Sequence, residues 1–141
     1  MEAKLKWVDG LMFAGAADSK HWVVMDTDAS VGGHDGAARP LELILLGLGG
    51  CTGMDVVAIL RKMRVAVERF ELVLNAERAD NHPKVFTRVR MQYRLWGPEL
   101  DPAKVQKAVD LSRTTYCSVS AMLSRAFPIE IEIAVNPQDG D

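Results

Sequence analysis

The sequence predicts an α+β fold: largely antiparallel sheets around a long buried central helix, in a single domain over residues 1–141. Three observations lead there. Strand patterns cluster with one another, in the order βββ-α-ββ-αα-β, and do not alternate with helices as a parallel βαβ sheet requires. One glycine-rich apolar stretch, beginning at Pro40, carries helical spacing. A chain of 141 residues that is 48% hydrophobic can build one core without a disulfide framework.

The elements follow in order. Lys4 to Val8 alternates, Asp9-Gly10 is a hairpin signal, and Leu11 to Ala14 is the returning strand. His21 to Met25 is a third strand, and Ser30 to Ala38, with Gly32, Gly33 and Gly36, reads as a flexible loop. Pro40 opens the helix. Leu43, Ile44, Leu45, Leu46 and Leu48 are apolar on every side, which predicts burial all round. Met54, Val56, Val57, Leu60 and Met63 continue the spacing, and Arg61, Lys62 and Arg64 suit the C-terminal end. Gly47, Gly49, Gly50 and Gly53 each cost a helix about 1 kcal/mol against alanine. Four so close together predict that another backbone packs against the helix, with a second copy of it as the expected partner.

Phe70, Leu72, Leu74 and Ala76 alternate with Glu71, Val73, Asn75 and Glu77 as a strand. Val85 to Trp96 is the next, placing Val89, Met91, Tyr93 and Leu95 on one face and Arg88, Arg90, Gln92 and Arg94 on the other. Asp101-Pro102 is an N-cap followed by a first-turn proline, for a helix turning Val105, Ala108, Val109 and Leu111 inward. A short helix around Ser118 to Arg125 precedes a last strand with Ile129, Ile131 and Ile133.

Composition excludes several functions. The net charge of −2 and pI near 5.9 lack the basic excess of a nucleic-acid or anionic-membrane binder. Arg61 to Arg94 does hold nine Lys or Arg against four acids. No aromatics interleave with its arginines, so it reads as a solvated sheet face on which Glu71, Glu77, Glu130 and Glu132 oppose Arg88, Arg90 and Arg94. The longest uninterrupted apolar run, Leu43 to Cys51, is nine residues, whereas a membrane span takes about 20. The N-terminus shows no secretory pattern. A cytoplasmic chain is the expectation, with no nucleic-acid or membrane partner.

His21, His34 and His82 are far apart and read as surface or loop residues. A zinc site would have to be assembled from distant positions. The glycines after Ser30 do not form a dinucleotide or phosphate loop, so no cofactor or metal is expected. The two cysteines remain. Cys51 lies in Gly-Gly-Cys-Thr-Gly-Met-Asp on the long helix, and Cys117 in Tyr-Cys-Ser-Val-Ser at the start of the short one. A thiol at a helix N-terminus can be held as thiolate, which favours Cys117 over Cys51. The alternative for each is an inert buried thiol.

Arg39-Pro40-Leu41-Glu42-Leu43, the stretch Leu48 to Val57, and Tyr116 to Ser120 resemble the OsmC/Ohr family, with the YhfA-like branch nearest. Asn81 to Phe86 and Ala108 to Ser112 extend the resemblance, which runs over about residues 39–135. It implies an intertwined homodimer with two long helices packed at its centre, and a thiol peroxidase that reduces organic hydroperoxides in oxidative-stress defence. Cys51 would be the peroxidatic cysteine and Cys117 the resolving one, with a dithiol reductant resetting the pair. The site needs a positive neighbour and a carboxylate, for which Arg39 and Glu42 are the candidates. The chain departs from the peroxidatic pattern twice: Leu41 stands where the glutamate directly follows the proline, and no arginine precedes Arg39. Lys20 does not reproduce a planar two-pronged contact. Glu42 lies nine residues before Cys51, about 13 Å along a continuous helix. It serves Cys51 only if the glycines break the helix or a second subunit brings it. Asp55, one turn beyond Cys51, would raise the thiol pKa unless an arginine neutralises it. These departures define the alternative, a non-catalytic dimer acting as a redox sensor or small-ligand binder.

Overall fold

The computed structural model describes residues 1–138. They form two compact units, Met1–Leu46 and a second beginning at Gly47.

In the first unit, β1 (Ala3–Asp9), β2 (Met12–Ala17) and β3 (Val23–Met25) make an antiparallel sheet in that order. The hairpin closes with Asp9 opposite Met12, so its two turn residues are Gly10 and Leu11, one later than the Asp9-Gly10 expectation. Gly10 takes φ +51°, which a turn of this length requires at its first central position. A register shift between Trp7 and Asp9 absorbs the displacement.

The loop after β3 is organised around a carboxylate. Asp26 is 2% exposed, and its Oδ2 accepts from the backbone N–H of His34 (3.0 Å) and Gly36 (3.1 Å). Those donors, Gly36 foremost, hold its pKa below the usual carboxylate range. Asp28 caps the short 3-10 turn Ala29–Val31 by accepting from Ser30 N. A Cβ on Gly33 would lie 2.1 Å from the Thr27 carbonyl oxygen, so this close approach needs glycine. The glycines therefore serve a hydrogen-bonded loop with a defined path.

Helix α1 runs from Pro40 to Lys62. From Gly47 onward it belongs to the second unit, with β4 (Arg69–Arg78), β5 (Phe86–Trp96) and β6 (Ile129–Val135). β4 and β5 pair antiparallel, whereas β5 and β6 are parallel. The parallel pair is possible because the β5–β6 connection is a long crossover carrying α2 (Pro102–Leu111) and α3 (Ser118–Leu123). Val89, Met91, Tyr93 and Leu95 are buried on one face of β5 as the alternation predicts. Full burial of such side chains contributes about 1.5–3 kcal/mol each. The other face is a charge ladder: Arg88 pairs with Glu77 and Glu130, and Arg90 with Glu130. That accounts for the local basic excess on a solvated surface, where each pair contributes about 0–1 kcal/mol.

Within the single chain the helix is not buried all round. Leu48, Thr52, Val56 and Leu60 are its buried residues, one stripe at four-residue spacing. Ile44 (40%), Leu46 (64%) and Met54 (71%) are exposed in the single chain. Runs of leucine satisfy every helical face at once, so the sequence alone does not reveal which stripe a single chain covers.

The glycines divide in the same way. A Cβ on Gly49 would meet Leu74 Cδ1 at 3.1 Å, and one on Gly53 would meet Leu72 Cδ1 at 3.1 Å. These two admit side chains of the chain's own β4. Gly47 and Gly50 face open space. By length and composition α1 also passes for a membrane span, with a mean hydropathy of 2.0. The run-length argument missed this because Glu42 and Thr52 end the run, whereas the leucines, isoleucines and valines along the helix keep the mean high.

Candidate functional site

Two helical elements bring the cysteines together. Cys51 projects from α1, half-buried, with Asp55 one turn further on. Asp101 caps α2, its Oδ1 accepting from Ala103 N at 2.9 Å. After α2 the chain widens into a single π turn, Ser112–Tyr116, closed by Cys117 N donating to Ser112 O at 2.8 Å. Such turns often accompany functional positions. Here it buries Ser112 and ends at Cys117, which becomes the N-cap of α3: its Sγ accepts from Ser120 N at 3.3 Å. The Cys51 sulfur, the Cys117 sulfur and an Asp55 carboxylate oxygen all lie within 4.8 Å of one another.

A buried polar chain supports this cluster. The hydroxyls of Tyr93 and Thr52 lie 2.9 Å apart, and those of Thr52 and Ser112 3.0 Å apart. Ser112 Oγ then donates to Asp55 Oδ2 at 3.1 Å. Tyr93, Thr52 and Ser112 are at most 1% exposed, so each hydroxyl has found the partner that burial demands. Burial pushes the Tyr93 phenol up, while its bond to Thr52 and the positive charge of Arg113 pull the other way.

Electrostatics reverse one expectation. The helix N-terminus was expected to favour a Cys117 thiolate. Instead the Cys117 thiol is pushed from 9.0 up to about 11. Burial is the main cause and the hydrogen bond with Cys51 the next, and together they outweigh the Ser120 N–H. A six-residue helix offers too little aligned backbone to compensate. At neutral pH Cys117 is a thiol.

Beside the cluster lies a groove of about 320 Å³, lined by Asp55, Ala58, Ile59, Lys62, Met63, Leu111 and Tyr116. Its lining is mostly apolar, with Asp55 and Lys62 as its charged members. The other two expected site residues are engaged within the first unit. Arg39 Nη2 donates to Asp28 Oδ2 (2.7 Å) and Asp35 Oδ1 (3.2 Å). Glu42 accepts from the Arg39 backbone N–H at 2.9 Å, at the start of α1. Because α1 is uninterrupted from Pro40 to Lys62, the glycines do not break it between Glu42 and Cys51.

The OsmC-like protein family model matches residues 33–132, a span that includes both cysteines and the polar chain between them. The chain belongs to the OsmC-like family. This OsmC-like chain is 41% identical over 129 residues to protein YhfA of Escherichia coli, covering 92% of this chain and 93% of that one. It is similar in structure to a hypothetical protein from Aquifex aeolicus (27% identity, TM-score 0.84, covering 98% and 97% of the two chains). It also shares its fold with an organic hydroperoxide resistance protein OsmC from Legionella pneumophila (15% identity, TM-score 0.71, covering 95% and 96%).

Sequence reading placed Cys51, Cys117 and Asp55 in the argument but missed Thr52, Tyr93, Ser112 and Arg113. Tyr93 carried a signal. It is the one polar member of an otherwise aliphatic and thioether strand face, and a buried phenol needs a partner. The π turn that positions Ser112 has no comparable sequence mark.

Proposed function

We propose that this OsmC-like chain is a cytoplasmic, homodimeric thiol peroxidase that reduces organic hydroperoxides through Cys51 and Cys117. The carrying observation is the placement of both sulfurs within 4.8 Å of each other beside a mostly apolar groove. In this reading the Cys51 thiolate attacks the peroxide oxygen, the O–O bond breaks, and the alcohol leaves with a proton. Cys51 is then a sulfenic acid. The Cys117 thiol attacks the sulfenic sulfur, forming the disulfide while its proton and the hydroxyl depart as water. A dithiol reductant restores both thiols. A protonated Cys117 can supply the proton that the departing hydroxyl needs, and it attacks as that proton leaves, because the thiolate is the nucleophile. The organic hydroperoxide resistance proteins that share this fold support the substrate class. Arg39 and Glu42 enter this proposal as the charged residues at the start of α1, with the partner subunit delivering Glu42 to Cys51.

Steady-state assay with cumene hydroperoxide and a dithiol tests the reading. Consumption that disappears in Cys51→Ser is expected; consumption that survives that substitution contradicts it. A second reading, a redox sensor or small-ligand-binding dimer without efficient turnover, is favoured by the Asp55 carboxylate beside the thiols, because a negative neighbour disfavours a thiolate. It predicts a disulfide after one equivalent of peroxide but little dithiol-driven turnover.

A further inference from the structure

We infer that Cys51, Cys117 and Asp55 form a site for one thiophilic divalent cation of the zinc class. The chemistry of the donor set leads there. Cys51 and Asp55 stand at i and i+4 on α1, the spacing at which one helix offers two ligands to one ion. Cys117 supplies a second sulfur from the N-cap of α3. Two sulfurs and one carboxylate oxygen are donors that zinc accepts together, and three protein ligands leave a fourth position open.

Geometry agrees. Zinc bond lengths of about 2.0–2.3 Å in a tetrahedron place ligand atoms roughly 3.3–3.8 Å apart. The three donors already lie within 4.8 Å of one another, so they need to close by roughly 1.5 Å at most. The supports that metal ligands usually have are also present. Ser112 Oγ donates to Asp55 Oδ2, and Ser112 is itself fixed by Thr52 and Tyr93. Ser120 N–H donates to the Cys117 sulfur. A disulfide-forming pair has no need of the carboxylate, whereas a cation uses it: binding the ion would displace the thiol protons, and two thiolates with one carboxylate would then balance its charge. Bound metal would hold both sulfurs and shield them from peroxide.

The test uses the reduced full chain, freed of metal with a chelator and kept anaerobic, so no peroxide chemistry enters the readout. Titration with Co²⁺ is expected to give a thiolate-to-cobalt charge-transfer band saturating at one ion per chain, and Zn²⁺ is expected to displace it. Cys51→Ser and Cys117→Ser should each remove about half of the band's intensity. Ser112→Ala, which touches no metal, should weaken affinity by about 10–100-fold, and Asp55→Asn by more. Circular dichroism verifies the fold of each variant, and if a cysteine variant unfolds, the isosteric Asp55→Asn decides. No charge-transfer band in the folded native chain, or an affinity unchanged by Asp55→Asn, overturns the assignment.

Discussion

A thiol that is 2% exposed and hydrogen-bonded to a second thiol resists losing its proton, and Cys117 carries the consequence into folding. Its pKa rises from 9.0 to about 11 in the folded chain. The folded state therefore binds this proton more tightly than the unfolded state does. The resulting stabilisation is fully present below about pH 9 and is lost as pH rises through about 11. Urea unfolding of the reduced, metal-free chain at a series of alkaline pH values should show this decline, and the decline should be shallower in Cys117→Ser. The same residue separates the two chemical steps. Cys117→Ser should still consume one equivalent of peroxide and leave a Cys51 sulfenic acid that dimedone traps. An inert Cys51 in that variant would contradict both the peroxidase and the sensor readings and argue for a small-ligand-binding protein with inert thiols.

At the scale of elements, the polar chain from Tyr93 through Thr52 and Ser112 to Asp55 ties β5, α1 and the π turn together. Thr52→Val keeps the shape but leaves buried hydroxyls of Tyr93 and Ser112 short of a partner. It should destabilise the chain by about 1–3 kcal/mol in chemical denaturation. Loss of the α2 cap in Asp101→Ala should cost about 1 kcal/mol by the same measurement. The cap was legible because Asp-Pro carries its chemistry locally, and the faces of β5 were legible because alternation has a period of two. The π turn was not, since one extra residue in a helical turn leaves no periodic trace. The parallel β5–β6 pair was also hidden: Ile129, Ile131 and Ile133 alternate equally well in either direction. Cys117 shows the other kind of failure. Its position at a helix start was read correctly, but the burial that dominates its ionisation comes from tertiary packing.

For the whole molecule, the exposed Leu46 and Met54 of α1 and the open space at Gly47 and Gly50 leave an apolar helix face that one chain does not cover. The proposed homodimer covers it. Sedimentation should give twice the 15.5 kDa chain mass, and Gly50→Ala should shift the equilibrium toward monomer. In a protein that does not self-associate, the same substitution would simply raise helix stability by about 0.5–1 kcal/mol. The leucine run made α1 recognisable as a long helix, yet only the fold distinguishes glycines filled by Leu72 and Leu74 from those left open. The claim on which the rest depends is that Cys51 and Cys117 act as one redox pair. The most direct test is intact-mass analysis of the reduced, metal-free chain after one equivalent of cumene hydroperoxide. The account predicts loss of two hydrogen atoms per chain, a peptide cross-linked between Cys51 and Cys117, and a matching amount of alcohol. An unchanged mass with the peroxide intact would contradict it.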